Sequence, residues 1–197
     1  MKYLFTFLFL VPFTVSAQFL KGTVAIGGYV TYNSIHQDSD NNDMPSSKYL
    51  TMNPSVSIFV TPTFSIGAFL KINSSKVPNI NPYTNLFEEG KVLTSIYGVT
   101  ARKYFPLSDK FLISVQGGIG LGGRVVDGDS ENRTSQFTAN LGPVFTFLPH
   151  PKWGFEASFA DLRFENSGNY YTNTNNFSVG IGTMGFGINY FINRKAE

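Results

Sequence analysis

The feature that most constrains the fold is a stretch of alternation between residues 97 and 125, where two extended segments are joined by a tight turn. In the second segment, large apolar residues alternate with residues that are polar or small. Successive side chains of a β-strand point to opposite faces, so this pattern predicts a strand with one apolar and one polar face. The apolar set is Phe111, Ile113, Val115, Ile119, Leu121 and Val125, and the other set is Ser114, Gln116, Gly118, Gly120, Gly122 and Arg124.

The polar face of this hairpin carries charge, which sets it apart from an ordinary soluble β-sandwich. Arg124 and Gln116 lie on that face, and Arg102 lies on the same face of the preceding strand. Both strands are long enough to cross a bilayer at a tilt, for which about ten residues suffice. The combination indicates a transmembrane β-barrel with lipid outside and a polar, filled interior.

The same alternation occurs in eight segments, and the connections between them are alternately long and short. Outer-membrane barrels have this arrangement, with short periplasmic turns, longer extracellular loops and an even number of strands. The sequence therefore predicts an all-β fold, an eight-stranded antiparallel up-and-down transmembrane barrel. The predicted strands cover residues 18–32, 48–60, 64–73, 91–105, 111–126, 134–147, 153–164 and 176–192, and the long loops cover residues 33–47, 74–90, 127–133 and 165–175.

Two further patterns refine this prediction. In the last strand the apolar positions change parity near Gly182, between Ile181 and Met184, which indicates a β-bulge. Aromatic residues gather near the predicted membrane borders, as in the aromatic girdles of membrane proteins. The girdle at the short turns is predicted to contain Phe64, Phe105, Phe111, Phe147, Trp153, Tyr190 and Phe191, and the girdle at the long loops Tyr32, Tyr49 and Phe177.

The first residues have a different character. Lys2 precedes an apolar run at residues 3–13, and small residues follow as far as Ala17. This is the pattern of a secretory signal peptide, and cleavage is predicted between Ala17 and Gln18. A membrane anchor fits less well, because Pro12 interrupts a run that is already short for a span. The predicted organisation is a signal peptide at residues 1–17, an outer-membrane β-barrel domain at 18–192 and a short polar periplasmic tail at 193–197.

Composition excludes several classes of function. The formal net charge is +2 and the basic residues are scattered rather than arranged in a stripe, so nucleic-acid binding is not expected. The chain has no cysteine, which excludes disulfides, thiolate metal sites and a cysteine nucleophile. After the leader, no apolar run approaches the roughly 20 residues of a spanning helix, so a helical membrane bundle is excluded as well.

Two segments carry a resemblance to a known family. The hairpin V-T-A-R-K-Y-F-P-L-S-D-K-F at residues 99–111, followed by the glycine-rich strand at 117–123, is similar to the outer membrane protein β-barrel domain family, relatives of the small OmpA/OmpX-type barrels. The terminal strand segment G-F-G-I-N-Y-F at residues 185–191 shares this resemblance.

The resemblance implies a porin-like, eight-stranded barrel in the Gram-negative cell outer membrane. Its expected partners are outer-membrane lipids, lipopolysaccharide and the outer-membrane assembly machinery, which inserts such barrels. The machinery reads an aromatic-ended last strand, and here Phe191 and Ile192 precede the polar tail.

Four charged residues are predicted to point into the barrel: Lys71, Arg102, Arg124 and Glu156. Charges in a low-dielectric interior need partners, and an eight-stranded barrel is just wide enough for side chains to fill it. Glu156 is therefore expected to pair with Arg102 or Arg124 as a structural plug. The alternative is that the four residues line a narrow ion path or a gate.

No motif indicates a cofactor or a resident metal. Residues 118–123 and 180–185 match G-x-G-x-x-G, but both lie inside alternating strands, whereas dinucleotide binding needs a helix N-terminus after the strand. Inward glycines are instead expected to make room for bulky neighbours. Residues 38–43 begin like a calcium loop, but Asp43 and Tyr49 stand where glycine and glutamate are needed. A solvated loop is predicted there, with loose divalent-cation binding near lipopolysaccharide as the alternative.

Only two histidines could serve as a base near neutral pH, His36 and His150. Some outer-membrane barrels that modify lipid A use an extracellular histidine with a serine and an acid, and His36 with Ser34 and Asp38 has these residue types. Their spacing is not specific, however, and His150 lies between two prolines in a predicted turn. No catalytic residues are therefore assigned.

The predicted function is that of a non-enzymatic integral outer-membrane barrel with a filled polar interior. Its surface loops at residues 34–47, 74–90 and 165–175 are expected to serve envelope integrity, or surface interaction and adhesion with an extracellular ligand. A narrow passive pore is the alternative, and a lipid A-modifying enzyme is the least favoured function.

Overall fold

The computed structural model describes residues 19–35, 46–80, 87–126, 129–168 and 173–192. Each of its eight strands pairs antiparallel with the next, and the first strand pairs with the last to close a barrel. The predicted fold class is therefore confirmed. The strands are β1 Val24–Ile35, β2 Ser47–Thr61, β3 Phe64–Ile80, β4 Phe87–Pro106, β5 Phe111–Val126, β6 Asp129–His150, β7 Trp153–Gly168 and β8 Asn173–Ile192. No helix in these residues is long and apolar enough to span a membrane.

The alternating sequence pattern becomes an inside and an outside of the barrel. On β5, Val115, Ile119 and Leu121 are exposed on the outer wall, whereas Ser114 is fully buried. An outer wall covered with exposed aliphatic and aromatic side chains is what contact with lipid requires. From Ser114 to Arg124, the inward positions of β5 hold the polar and small residues that the sequence predicts, whereas large apolar side chains occupy the interior at one end of the barrel.

The two ends of the barrel differ in their connections. At one end, which we call the turn end, lie the short turns at residues 62–63, 107–110 and 151–152, together with the first described residues of the chain. At the opposite end, the loop end, lie the connections between β1 and β2, β3 and β4, β5 and β6, and β7 and β8.

The strands at the loop end are longer than predicted. β3 and β4 remain paired as far as Ile80 and Phe87, so the barrel wall continues into a region that the sequence pattern assigns to loops. Pairing satisfies the backbone N–H and C=O groups whatever the side chains are, so polar residues do not end a strand here. Much of three predicted loops, at residues 74–90, 127–133 and 165–175, is therefore paired strand in the structure.

A bulge interrupts β8 near Gly182, where the change of parity predicts one. The two steps from Ser158 to Ala160 on β7 span the same distance as the four steps from Ile181 to Gly185 on β8. The shift lets Phe177 and Phe186, which have opposite parity, both lie exposed on the outer wall.

A second bulge, which is not among the sequence predictions, lies on β7. Its register against β6 shifts between Leu141 and Val144. Phe159 before the shift and Leu162 after it are both exposed on the outer wall, so the parity of β7 changes between them. The shift turns three further charged residues toward the interior, Asp161, Arg163 and Glu165.

Inward glycines accommodate a large aromatic ring, as predicted. Phe69 points into the barrel and lies over glycines of β4 and β5. A Cβ atom added at Gly98 would lie 2.7 Å from the Phe69 ring, and one added at Gly120 would lie 3.1 Å from it. These positions therefore need glycine because their neighbours occupy the space.

The outer girdle at the turn end contains pairs of aromatic rings in contact. Phe111 stacks on Phe147 with 4.9 Å between ring centroids, and Trp153 meets Tyr190 edge-on, also at 4.9 Å. The prediction that Phe191 belongs to this girdle is wrong, because Phe191 is only 1% exposed and lies inside the barrel. Its parity is opposite to that of the outward Ile188, which explains the inward position.

Candidate functional site

The interior of the barrel is the candidate functional site, and it has three levels. At the turn end, large apolar side chains fill the lumen. Next to them lies a network of polar and charged side chains that connects opposite walls. In the loop half, charged and polar residues surround a cavity. Each level is formed by inward-facing residues of several strands, so the strand register determines which side chains meet.

The aromatic cap closes the turn end. Phe19 is 2% exposed and stacks on Phe59 with 4.1 Å between ring centroids, and the Phe191 ring lies 5.0 Å from that of Phe19. Such aromatic pairs are worth about 0.5–1.5 kcal/mol each beyond the area they bury. The cap consists of Phe19, Phe59, Tyr104, Leu112, Leu148 and Phe191, all buried.

The segment before β1 holds Phe19 in the cap. The backbone N–H of Gly22 donates to the carbonyl of Phe59 at 2.8 Å, and the N–H of Phe59 donates to the carbonyl of Thr23 at 2.9 Å. Gly22 has a φ of 88°, which favours glycine and lets the chain turn back across the opening. The start of the described chain is therefore folded into the barrel mouth.

The ion-pair network lies beside the cap and consists of Arg102, Gln116 and Glu156. The Arg102 guanidinium donates hydrogen bonds to the carboxylate of Glu156 and to the side-chain carbonyl of Gln116. Of the two partners predicted for Glu156, the structure thus pairs it with Arg102. Arg102 belongs to β4 and Glu156 to β7, which are not neighbours in the barrel, so the ion pair crosses the lumen.

Further contacts hold the network in place. The hydroxyl of Thr146 lies 3.4 Å from the Glu156 carboxylate, and the Arg102 guanidinium lies 5.6 Å from the centroid of the Tyr104 ring. The Arg102 and Glu156 side chains are only 15% and 12% exposed. A pair this buried is stable only when both charges are satisfied, because each has lost its hydration. The contact with Tyr104 joins the network to the cap.

The loop half of the lumen contains a cavity of about 390 Å³, which we call the vestibule. The other two residues of the predicted charge set, Lys71 and Arg124, line it and are not part of the ion-pair network. The four predicted charges therefore form two separate groups. The polar residues around the vestibule include Tyr49, Lys71, Arg124, Gln136, Arg163 and Glu165.

Several members of these sites were missed in the sequence. Arg163 and Glu165 were assigned to the end of a strand and to a loop, although the change from Phe159 to Leu162 marks the bulge that turns them inward. The prediction that Tyr49 belongs to the outer girdle is wrong, because Tyr49 lines the vestibule. Phe19 precedes the alternating pattern, so no periodic signal indicates its position in the cap.

Other predicted sites lie outside the described residues. These are the cleavage site at Ala17 and Gln18, the tail at 193–197, the loop at 38–43 and His36. His150 is described, and its Nδ1 accepts a hydrogen bond from the backbone N–H of Lys152 at 3.1 Å within the turn. Across the described ranges, no three His, Cys, Asp or Glu side chains form a group that could hold a metal ion.

Comparison with known proteins gives a family and several similar folds. The model of the outer membrane protein β-barrel domain family matches residues 4–184. The N-terminal β-barrel domain of Pseudomonas aeruginosa OprF is 13% identical, with a TM-score of 0.48, and the match covers 87% of this chain and 98% of that one.

A second similar structure is Ail, the attachment invasion locus protein of Yersinia pestis, in complex with the heparin analogue sucrose octasulfate. It is 16% identical, with a TM-score of 0.45, over 88% of this chain and all 100% of that one. No curated protein matches the chain significantly. The match of the family model to nearly the whole chain, on a closed eight-stranded barrel, shows that the chain belongs to the outer membrane protein β-barrel domain family and is located in the outer membrane.

Proposed function

We propose that this protein is a non-enzymatic and non-conducting outer-membrane barrel whose loop end serves envelope integrity or surface interaction. The observation that carries the proposal is the double closure of the lumen. The aromatic cap fills the turn end, and the ion pair between Arg102 and Glu156 joins opposite walls beside it. A barrel closed in this way acts as a scaffold rather than as a passage.

The energy needed to open the lumen supports this proposal. A solute crossing the barrel would have to separate Arg102 from Glu156 and also pass the buried rings of the cap. Leaving a buried charge without its partner costs about 3–5 kcal/mol. The rings add the cost of losing their packing, so spontaneous opening is expected to be rare.

The loop end supports a role in surface interaction. Short turns face the periplasm in outer-membrane barrels, so the loop end faces the exterior. The β7–β8 ribbon there carries an ordered polar surface, in which the amide of Asn166 donates to the side-chain carbonyls of Asn173 at 2.8 Å and Asn175 at 2.6 Å. Exposed amides fixed in position are suited to hydrogen bonding with a polar partner.

A narrow passive pore is the second candidate, because the vestibule leaves charged residues around an open space in the loop half of the lumen.

Liposome swelling distinguishes a closed barrel from a pore. Residues 18–197, refolded into liposomes, are expected to cause no more swelling in a small neutral sugar than empty liposomes do. A general porin at the same protein-to-lipid ratio is the positive control, and heat-modifiable gel mobility verifies folding. Swelling at the porin level would overturn the proposal in favour of the pore.

The non-enzymatic part of the proposal has its own test. The refolded chain is expected to release no fatty acid from lipid A. Turnover that disappears in His36→Ala would overturn this expectation and favour the hydrolytic alternative built on His36, Ser34 and Asp38.

A further inference from the structure

We propose that the vestibule is a binding site for a phosphate-bearing sugar that enters from the loop end, with the phosphate held by Lys71 and Arg124. This inference rests on the proposed function, since a lumen closed at the turn end retains a solute instead of passing it through. It adds the chemical class of the ligand and the residues that recognise it.

The first support is the charge balance of the site. Three cations, Lys71, Arg124 and Arg163, face the loop half of the lumen, and the carboxylates facing it among the described residues are those of Asp161 and Glu165. Arg163 is already paired with Asp161, at 2.8 Å between Nη2 and Oδ2. The site therefore carries an excess of positive charge.

The second support is that two cations lack a close partner. Neither Lys71 nor Arg124 forms an ion pair or a hydrogen bond with any residue in the described part of the chain. The carboxylates of Glu165 and Asp161 act on Lys71 only through space, and the positive charge of Arg163 opposes their effect. An ammonium group inside a narrow lumen has lost part of its hydration, so a bound anion would restore the missing interactions.

The third support is the size and polarity of the cavity. Its volume of about 390 Å³ lies in the range of small-molecule sites, roughly 300–1,000 Å³. Tyr49 and Gln136 add neutral hydrogen-bonding groups to the lining of the vestibule, which suit sugar hydroxyls better than a bare ion. Charged walls around a confined space also concentrate ions of the opposite sign.

The direction of entry follows from the closure of the other end. The ion-pair network and the aromatic cap lie between the vestibule and the turn end, so the ligand must arrive from the loop end. Two sources share the required chemistry: a free sugar phosphate, and the phosphorylated sugars of lipopolysaccharide in the same leaflet.

The test is isothermal titration of the refolded chain in detergent with glucose 1-phosphate, with glucose as the neutral control ligand. A second titration with phosphorylated lipid A in mixed micelles separates a headgroup from a free solute. Saturable binding of either phosphorylated probe, with no response to glucose, is the expected result. The absence of binding to both probes would overturn the inference.

Variants identify the residues that bind. Lys71→Met and Arg124→Gln are each expected to weaken binding about tenfold or more, because each removes a charge-assisted contact. Lys103→Met is the matched control, since Lys103 is on the outer wall and its ammonium contacts the Thr63 hydroxyl at 2.7 Å. Equal weakening by Lys103→Met would overturn the inference. If Lys71→Met does not fold, the binding measured for Arg124→Gln still tests the inference, because Arg124 is exposed.

Swelling measurements on the same protein separate failure of this inference from failure of the proposed function. Binding without swelling supports both. If the chain neither binds the probes nor causes swelling, the proposed binding site is overturned but the closed barrel is not. Swelling overturns the closed barrel, whereas binding that depends on Lys71 and Arg124 would still support the site as a filter.

Discussion

At the scale of single residues, the contact with the largest energetic consequence is the ion pair between Arg102 and Glu156. Both side chains are mostly buried, and each is the main counter-charge of the other. Gln116 contacts the Arg102 guanidinium and Thr146 contacts the Glu156 carboxylate, so each charge also has a neutral polar neighbour. Removing only one charge leaves the other buried without compensation, which is more costly than never burying the pair.

We therefore expect Glu156→Gln to lower the free energy of unfolding by about 3–5 kcal/mol. The measurement is urea unfolding in lipid vesicles, followed by tryptophan fluorescence. Glu165→Gln in the vestibule is the matched control and is expected to change stability much less, because Glu165 forms no ion pair with the described residues. Unchanged stability in Glu156→Gln would show that the pair is not a structural plug.

A double variant refines the same prediction. Arg102→Met with Glu156→Met removes both charges, so it is expected to be more stable than Glu156→Gln alone. A double variant less stable than the single one would mean that the polar contacts to Gln116 and Thr146, rather than the paired charges, hold the network together.

At the scale of strands, the glycines of β5 show how one element serves two environments. Gly120 faces the lumen, where an added Cβ would lie 2.7 Å from the Ile96 side chain and 3.1 Å from the Phe69 ring. Gly117 faces outward, where the nearest atom to an added Cβ is 3.5 Å away, on Leu141. The same residue type therefore has a packing role at one position and none at the other.

We expect Gly120→Ala to cost about 1–3 kcal/mol, because the methyl group overpacks the interior. Gly117→Ala, on the same strand, is expected to be neutral or to stabilise by up to about 1 kcal/mol, because alanine restricts the unfolded chain. The two unfolding free energies are measured side by side. Equal effects at both positions would contradict the assignment of inward and outward faces.

The strands also show how much of the fold the sequence predicts. Period-two alternation identifies all eight strands and the inward direction of Arg102 and Glu156, since side-chain direction depends on local geometry alone. The positions of Phe191 and Tyr49 in the alternating pattern also indicate that both side chains face inward. Their aromatic character near the membrane borders favours the outer girdles instead, and this is why the girdle prediction is wrong for them. Strand ends are not predictable in this way, because pairing beyond the membrane depends on the neighbouring strand and not on hydrophobicity.

The candidate site was predicted only in part, for related reasons. The β7 bulge determines that Arg163 and Glu165 reach the lumen, and it appears in the sequence only as a one-residue change in the apolar pattern. The insertion of Phe19 into the cap depends on contacts with β2 and β8, which are distant in sequence. Neither arrangement can be inferred from a window of neighbouring residues.

At the scale of the whole molecule, the described strands form a barrel whose lumen is filled at the turn end and contains the vestibule in its loop half. Two barriers close the lumen in series, the aromatic cap and the ion-pair network.

We expect Phe19→Ala to destabilise the barrel by about 3–5 kcal/mol and to leave it non-conducting, because the ion pair still crosses the lumen. Combining Phe19→Ala with Arg102→Ala and Glu156→Ala is expected to produce channel openings. Openings with Phe19→Ala alone would show that the ion pair is no barrier.

The most direct test of the closed barrel is the single-channel conductance of refolded residues 18–197 in a planar bilayer. Heat-modifiable gel mobility first establishes that the sample is folded. We predict no steady openings from the wild-type chain. Steady openings would contradict the closed lumen and would make Lys71, Arg102, Arg124 and Glu156 the lining of a narrow pore.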